Sequence, residues 1–315
     1  MIRLIVKRLA VSIVTLWVVT IMVFAGTELL PGDVAEAILG QSATPETVAG
    51  LRGQLGLDRP AQVRYLTWLR GFVSGDLGVS LASGVPITKL IKERLGNTLF
   101  LAAVTAVMAV PIAILLGLLA AMFPGSLFDR AVSVLTLCLV AIPEFLSGSI
   151  LVLIFAVYLG WLPAIAYITE FRSVGQLLSS LAMPILTLSF SITAQMARMT
   201  RATVLNIMDS SYIEMALLKG VSRGRIIFRH SIINVIGPIA NVVALNLTFL
   251  VGGVVIVETI FAFPGLAKLI VDAVSTRDFP VVQSCAMVFC AAYILFMLIA
   301  DIVAIVSNPK LWHPR

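Results

Sequence analysis

Charged residues are scarce in this sequence, and their scarcity excludes an ordinary soluble domain. Only 12% of the 315 residues are Asp, Glu, Lys or Arg, whereas 60% are hydrophobic. Soluble domains carry roughly 25% charged residues, so about half of the usual charge is absent. The surplus apolar surface has to face lipid. The composition therefore predicts an integral membrane protein.

Cysteine and histidine are also scarce, and a P-loop nucleotide-binding motif is absent from the sequence. The three cysteines, Cys138, Cys285 and Cys290, all lie in apolar segments, which excludes a disulfide framework and zinc-ligand spacing. No G-x-x-x-x-G-K-[ST] sequence occurs, so the chain does not bind a nucleotide in the P-loop manner. The stretch 220–224 matches G-x-S-x-G, but its membrane-side context favours a helix-capping role for Ser222. We expect no catalytic residue, no metal site and no cofactor.

Long apolar runs divide the chain into six predicted transmembrane helices. The first, Leu9–Leu30, is longer than the apolar region of a signal peptide, which spans about 7–15 residues. The others are Thr98–Phe123, Ala131–Leu159, Leu177–Ala197, Val235–Val257 and Val281–Ser307. We predict an all-α membrane protein with four regions: an N-terminal helix (1–30), an extracytoplasmic loop domain (31–96), a transmembrane domain of five helices (97–307) and a tail (308–315).

The distribution of Lys and Arg predicts the orientation. With the N-terminus inside, the cytoplasmic segments hold 12 of the 22 positive residues and the short outer loops hold 3. The other 7 lie in the long first outer loop, and loops beyond about 60 residues escape the positive-inside rule. Both termini are therefore predicted to be cytoplasmic. Because the positive residues lie beside apolar spans, the net charge of +6 does not indicate nucleic-acid binding.

Two acidic residues lie within predicted spans. An ionisable residue inside a membrane helix is a candidate for a transport pathway. Glu144 follows Pro143 in the third span, where it can line a pathway or pair structurally near a helix end. Asp301 lies near the cytoplasmic end of the sixth span, which favours a structural role. Pro143, together with Pro111 and Pro184, indicates kinks.

The densest positive charge accompanies a polar interruption at 211–230. Ser211 and Glu214 fit a capping box, and Gly220 after Lys219 fits a helix C-terminus. Ser222 can cap a second helix that carries Arg223, Arg225 and Arg229. The pattern predicts a pair of short cytoplasmic helices within a loop of about 199–234, suited to docking with another protein.

Several unusual motifs are distributed along the whole chain. The 211–230 loop contains Glu214-Met215-Ala216, which Gly220 and then Pro238 follow along the chain. The other motifs are Pro31–Asp33, Leu55–Pro60, Gly75–Ser80, Gly160–Pro163, Glu258–Gly265 and Arg277-Asp278 with Pro280. Together they resemble the dipeptide/oligopeptide/nickel permeases of bacterial ABC importers, in the subunit with a long first outer loop. The loop is similar to the "EAA" loop of such permeases. It differs in having Met for the middle Ala and a longer Gly-to-Pro separation.

The resemblance implies a type I ABC importer permease bundle in the bacterial inner membrane. The implied partners are a second, related permease subunit, two cytoplasmic ATP-binding subunits and an extracytoplasmic solute-binding protein. ATPase coupling would involve Ser211, Tyr212, Glu214, Met215, Ala216, Lys219, Gly220, Arg223 and His230. Pro143 and Glu144 would belong to the pathway or a gate. Contact with the binding protein, or an outer gate, would involve Asp76, Glu258, Phe261, Phe263, Pro264, Arg277 and Asp278.

The resemblance favours peptides as the transported solute, with nickel chelates, glutathione or another small solute as alternatives. A secondary transporter driven by an ion gradient is a second hypothesis. It would require inverted repeats and paired broken helices, and the sequence shows no two halves of matching hydropathy. A membrane scaffold without a transport path is a third hypothesis, but it does not explain the capped, basic loop.

Overall fold

The computed structural model describes residues 2–29, 34–166, 174–208, 215 and 232–306. Within these ranges the regular structure is helical, apart from an isolated antiparallel bridge between Val79 and Pro86. A 3₁₀ turn follows α2, and α7 continues as a π-helix over Val152–Tyr158. The helices are α1 (Ile2–Glu28), α2 (Val34–Leu39), α3 (Pro45–Leu55), α4 (Ala61–Ser74), α5 (Ile87–Met122), α6 (Leu127–Ala141), α7 (Glu144–Leu151), α8 (Val174–Met208), α9 (Ile232–Ile260), α10 (Leu266–Ser275) and α11 (Phe279–Val306).

Five of the described helices are long and apolar enough to cross a membrane. They are α1, α5, α8, α9 and α11, and the bent pair α6 and α7 makes a sixth span if it is counted as one. The prediction of an all-α, multi-pass membrane protein is therefore confirmed. The helix that contains the second predicted span is longer than that span, since α5 begins at Ile87 and the predicted apolar run begins at Thr98.

The third predicted span, Ala131–Leu159, is wrong as one continuous helix. It consists of α6 and α7, which meet at an angle of 98°. Pro143 disfavours helical geometry for Ile142, which has the extended torsions φ −84° and ψ 120°. Pro143 then precedes the first residue of α7. By contrast, Pro111 and Pro184 lie inside the uninterrupted helices α5 and α8.

The chain forms two compact units, and the first comprises Met1–Ala10, Phe100–Phe263 and Tyr293–Arg315. Its core includes the fully buried side chains of Leu188, Met196, Phe261 and Phe263. Helix α8 packs against α6, α7 and α9. In its most apolar stretch 44% of the α8 residues are buried, against 33% for α9 and 22% for α5, so α8 is the most buried of these three helices.

The second unit comprises Val11–Leu99 and Pro264–Ala292. Its core contains Ile87, Leu266, Val281 and Cys285, contributed by α5, α10 and α11. The loop domain predicted at 31–96 thus shares a core with residues that the sequence analysis assigned to the transmembrane domain. Helix α10 was not predicted from the sequence.

Polar contacts connect the elements within each unit. In the second unit, the Gln283 amide donates to Thr27 Oγ1 at 2.6 Å and Arg64 contacts Glu28 at 2.7 Å. In the first unit, Arg8 on α1 pairs with Asp301 on α11 at 2.9 Å. This ion pair gives Asp301 the structural role that its position favours.

Candidate functional site

The break between α6 and α7 leaves Glu144 half-buried, with its carboxylate close to α9. Glu144 occupies the first turn of α7, where a negative charge suits the positive end of the helix dipole. Pro143 precedes it with φ −59° and ψ 143°, so the chain enters α7 in an extended conformation. The proline therefore determines where the carboxylate lies, whereas its own ring is exposed.

A cavity of about 430 Å³ adjoins the Glu144 carboxylate. Helices α6, α7, α8 and α9 contribute to it, with both apolar and polar side chains. The lining residues are Val140, Glu144, Ser191, Ile192, Gln195, Asn246, Phe249, Gly252 and Gly253. Volumes of about 300–1,000 Å³ are typical of small-molecule sites. The dimensions and polarity are those of a site for a small polar solute or a side chain.

Gly253 on α9 makes room for the carboxylate of Glu144. A Cβ atom at Gly253 would lie 2.8 Å from Oε2 and 3.0 Å from Oε1 of Glu144. A Cβ atom at the neighbouring Gly252 would have no such atom within 4 Å. The position of the Glu144 carboxylate against α9 therefore requires glycine at 253, whereas a Cβ atom at 252 would not reach it.

The polar groups of the cavity differ in whether they already form hydrogen bonds. Asn246 donates its amide hydrogens to the Val242 carbonyl at 2.8 Å and to Met199 Sδ at 3.6 Å. Within the part of the chain that the structure describes, the Glu144 carboxylate has neither a hydrogen-bond donor nor an ion-pair partner. The cavity therefore presents a carboxylate and an amide oxygen as acceptors.

Asp129 and Arg201 form a second polar cluster in the first unit. Arg201 donates from Nε to Oδ1 at 2.5 Å and from its terminal nitrogen to Oδ2 at 2.8 Å. The amide of Gly125 also donates to Asp129 Oδ2, at 2.9 Å, and Ser126 caps α6. This arrangement fixes the turn between α5 and α6 to the C-terminal part of α8. Because α8 leads towards the predicted coupling loop, the ion pair lies next to that segment in sequence.

Asp278 binds the loop that follows α4 in the second unit. Its carboxylate accepts hydrogen bonds from Ser80 Oγ at 2.5 Å, Leu81 N at 3.1 Å and Ala82 N at 3.2 Å. Asp278 is 3% exposed, whereas the preceding Arg277 is exposed and has a φ of +56°. Asp76 is also exposed and accepts from the amide of Gly78 at 3.1 Å. Of these predicted site residues, Asp76 and Arg277 are accessible and Asp278 is structural in this conformation.

The other predicted gate residues, Glu258 to Pro264, end α9. Glu258, Phe261 and Phe263 are fully buried. The amide of Phe263 donates to the Glu258 carbonyl at 2.9 Å, and the intervening Ala262 has a φ of +48°. The Pro264 carbonyl accepts from Asn97 at 2.8 Å within the second unit. The segment is a packed helix end and not an exposed surface.

A second cavity, of about 840 Å³, lies within the second unit. Its walls include the predicted motif Leu55–Arg59, together with Arg64, Trp68 and Gln283. Cationic and acidic side chains both line it, so it has no single charge preference. We assign it no ligand.

The predicted coupling residues fall almost entirely outside the described residues. This applies to Ser211, Tyr212, Glu214, Ala216, Lys219, Gly220, Arg223 and His230. Met215 is described and its side chain is 56% exposed. Helix α8 ends at Met208 and α9 begins at Ile232, so the stretch connects two of the membrane-spanning helices.

Sequence reasoning missed Gln195, Asn246 and Gly253 as companions of Glu144. Polar residues inside apolar spans, and the Gly252-Gly253 pair in a helix, were the available signals. It also missed the pairing of Asp129 with Arg201, because Arg201 was counted only as a cytoplasmic positive charge. Among the described residues, no group of three or more His, Cys, Asp or Glu side chains is arranged to hold a metal ion.

Comparison with known families agrees with this architecture. Residues 113–313 match the family described as "Binding-protein-dependent transport system inner membrane component". Residues 1–102 match the corresponding N-terminal family. The chain belongs to this permease family. It is thus a multi-pass membrane subunit of a transport system that also contains other subunits.

Relatives of this permease span its whole length. It is 33% identical to "Probable peptide ABC transporter permease protein y4tP" of Sinorhizobium fredii, over 98% of each chain. A relative in Brucella suis, named as a peptide transport system permease protein, is 36% identical over 99% of this chain and all of its own. The glutathione transport system permease protein GsiC of Escherichia coli K12 is 33% identical over 99% of each chain.

Proposed function

We propose that this permease forms half of the translocation pore of an ATP-driven importer that carries di- and oligopeptides across the bacterial inner membrane. The observation that carries the proposal is the match to peptide permeases over the full length of the chain. The polar cavity at Glu144 supports it, because it supplies a solute-sized space inside the spanning helices. Glutathione, itself a small peptide, is the second candidate, since a relative is named for it.

Three kinds of partner complete the proposed importer. A second, related permease forms the other half of the pore, two cytoplasmic subunits hydrolyse ATP, and an extracytoplasmic solute-binding protein delivers the solute. This chain is the non-catalytic membrane subunit. The excess of Lys and Arg in the segments assigned to the cytoplasm supports cytoplasmic N- and C-termini.

Coupling to ATP hydrolysis runs through residues 211–230. In this proposal the helix beginning near Tyr212 docks on one ATP-binding subunit, with Tyr212 and Met215 as apolar anchors. The exposure of Met215 and the length of α8 support this arrangement. Helix α8 connects the docking segment to Ser191 and Gln195 in the cavity, so a movement of the segment reaches the pathway through one continuous helix.

On the side of the membrane opposite the coupling segment, the first outer loop and the segment from Glu258 to Gly265 meet the solute-binding protein or shape the outer gate. Asp76 and Arg277 are exposed and suit direct contact. Asp278, Glu258, Phe261 and Phe263 are buried and suit a gate. The bond of Asp278 to Ser80 holds the loop 80–86 in place beside α11.

Uptake by the reconstituted importer tests the proposal. The chain is co-expressed with its partner subunits, purified and placed in proteoliposomes with ATP inside and loaded binding protein outside. We expect ATP-dependent accumulation of labelled dipeptide and co-purification of the ATP-binding subunits. Uptake driven by an ion gradient in the absence of ATP would refute it. Competition by glutathione distinguishes the second candidate.

A further inference from the structure

We propose that the cavity beside Glu144 recognises an organic ammonium group of the transported solute, either its amino terminus or a lysine side chain. This inference rests on the proposed function, because it requires the cavity to lie on the transport pathway. The ligand class follows from three observations: the charge of the site, the kind of hydrogen-bonding groups that the site presents, and the way Gly253 on α9 positions the Glu144 carboxylate.

The described residues give the cavity the charge of one carboxylate. Glu144 is the acidic residue among the nine described residues that line it, and no lysine, arginine or histidine is among those nine. Its side chain is half-buried and, within the described parts of the chain, makes neither a hydrogen bond nor an ion pair. An uncompensated carboxylate between membrane-spanning helices is costly unless a cation meets it during the functional cycle.

The hydrogen-bonding groups select among cations. An ammonium group carries three N–H donors and no acceptor. Glu144 offers carboxylate oxygens, and Asn246 offers its amide oxygen because its NH₂ group already donates to Val242. Ser191 and Gln195 add a hydroxyl and an amide. A divalent metal ion would require several acidic or imidazole ligands, and the described residues provide no such group.

Gly253 positions the carboxylate. The Glu144 oxygens lie so close to α9 that a Cβ atom at 253 would meet them at 2.8 and 3.0 Å. A side chain there would displace the carboxylate without altering its charge. Gly96 on α5 is not among the residues that line the cavity and is open to a Cβ atom, so Gly96→Ala is the control for adding one methyl group to a helix.

The test compares four importers that differ only in this chain: wild type, Glu144→Gln, Gly253→Ala and Gly96→Ala. Initial uptake is measured in proteoliposomes with saturating binding protein for Ala-Ala, Ala-Lys and their N-acetylated forms. Binding of each peptide to the binding protein is verified beforehand. Because the same binding protein serves all four importers, its own selectivity cancels when variants are compared.

We expect Glu144→Gln and Gly253→Ala to lower the uptake of ammonium-bearing peptides roughly tenfold, the loss typical of one hydrogen-bonded charge partner. Gly96→Ala should match wild type. If the amino terminus is recognised, Ala-Ala falls and its acetylated form does not. If the lysine side chain is recognised, both lysine peptides fall and both alanine peptides keep their rates.

The inference is overturned if Glu144→Gln leaves all four rates unchanged, or lowers all four by the same factor. It is also overturned if Gly253→Ala behaves as Gly96→Ala does. In each of these cases wild-type uptake persists, so the proposed function stands. Absence of ATP-dependent uptake by the wild-type importer would instead refute the proposed function, and this site with it.

Discussion

Arg201 holds both carboxylate oxygens of Asp129, a residue 72 positions away, at 2.5 and 2.8 Å. The two partners differ in exposure, since the Asp129 side chain is 4% exposed and that of Arg201 is 29% exposed. The pair connects the start of α6 to the part of α8 that precedes the predicted coupling loop.

Removing Arg201 should cost more stability than removing Asp129. Arg201→Ala leaves a buried carboxylate without its cation, and loss of a buried partner costs roughly 3–5 kcal/mol. Asp129→Ala leaves a guanidinium that is already partly exposed and can reach water or lipid headgroups. Thermal unfolding of the purified chain in detergent measures both variants. A double variant no more stable than Arg201→Ala would contradict this explanation.

Replacing Gly117 should destabilise the chain, whereas replacing Gly96 on the same helix should not. A Cβ atom at Gly117 would lie 2.6 Å from the Ala197 carbonyl and 2.7 Å from the Thr200 side chain, so α5 and α8 would have to separate. We expect Gly117→Ala to destabilise the chain by about 1–3 kcal/mol. Gly96 has no such neighbour within 4 Å, and Gly96→Ala should stabilise it by about 0.5–1 kcal/mol. Equal melting temperatures for the two variants would refute the prediction.

The hydrogen bonds that Asp278 accepts should keep residues 80–86 in one ordered conformation. Asp278→Asn replaces one acceptor by an NH₂ group, which cannot accept from both Ser80 and Ala82. Amide hydrogen exchange at Leu81 and Ala82 should become roughly tenfold faster. Asp272→Asn is the control, because Asp272 forms an exposed pair with Lys268 one helical turn away. Acceleration in the control of the same size would show that the effect is nonspecific.

Gly220→Asp should abolish uptake while the chain remains in the membrane. Gly220 is predicted to end the coupling helix in a left-handed conformation that a Cβ atom disfavours. Uptake in proteoliposomes measures function, and membrane fractionation measures insertion. Co-purification of the ATP-binding subunits should fall together with uptake. Normal uptake by this variant would show that the segment does not couple transport to ATP hydrolysis.

The sequence predicted helices and spans well because length and apolar content are local properties. It also identified Glu144, because a carboxylate in an apolar run is conspicuous wherever it folds. It did not identify α10, a ten-residue segment that is too short to read as a span. The 98° bend was only partly visible, since Pro143 indicates a break and does not specify its angle.

By itself, the sequence determined that this protein crosses the membrane several times, that it lacks a nucleotide-binding motif of the P-loop kind, and where its unusual charges lie. Tertiary structure alone decided what lies beside each of those charges. Asp129 pairs with Arg201, Arg8 pairs with Asp301, and the Glu144 carboxylate lies beside Gly253. Hydropathy is a property of each residue, so membrane spans can be predicted from the sequence alone. Pairing depends on how distant helices pack, and no local pattern encodes it.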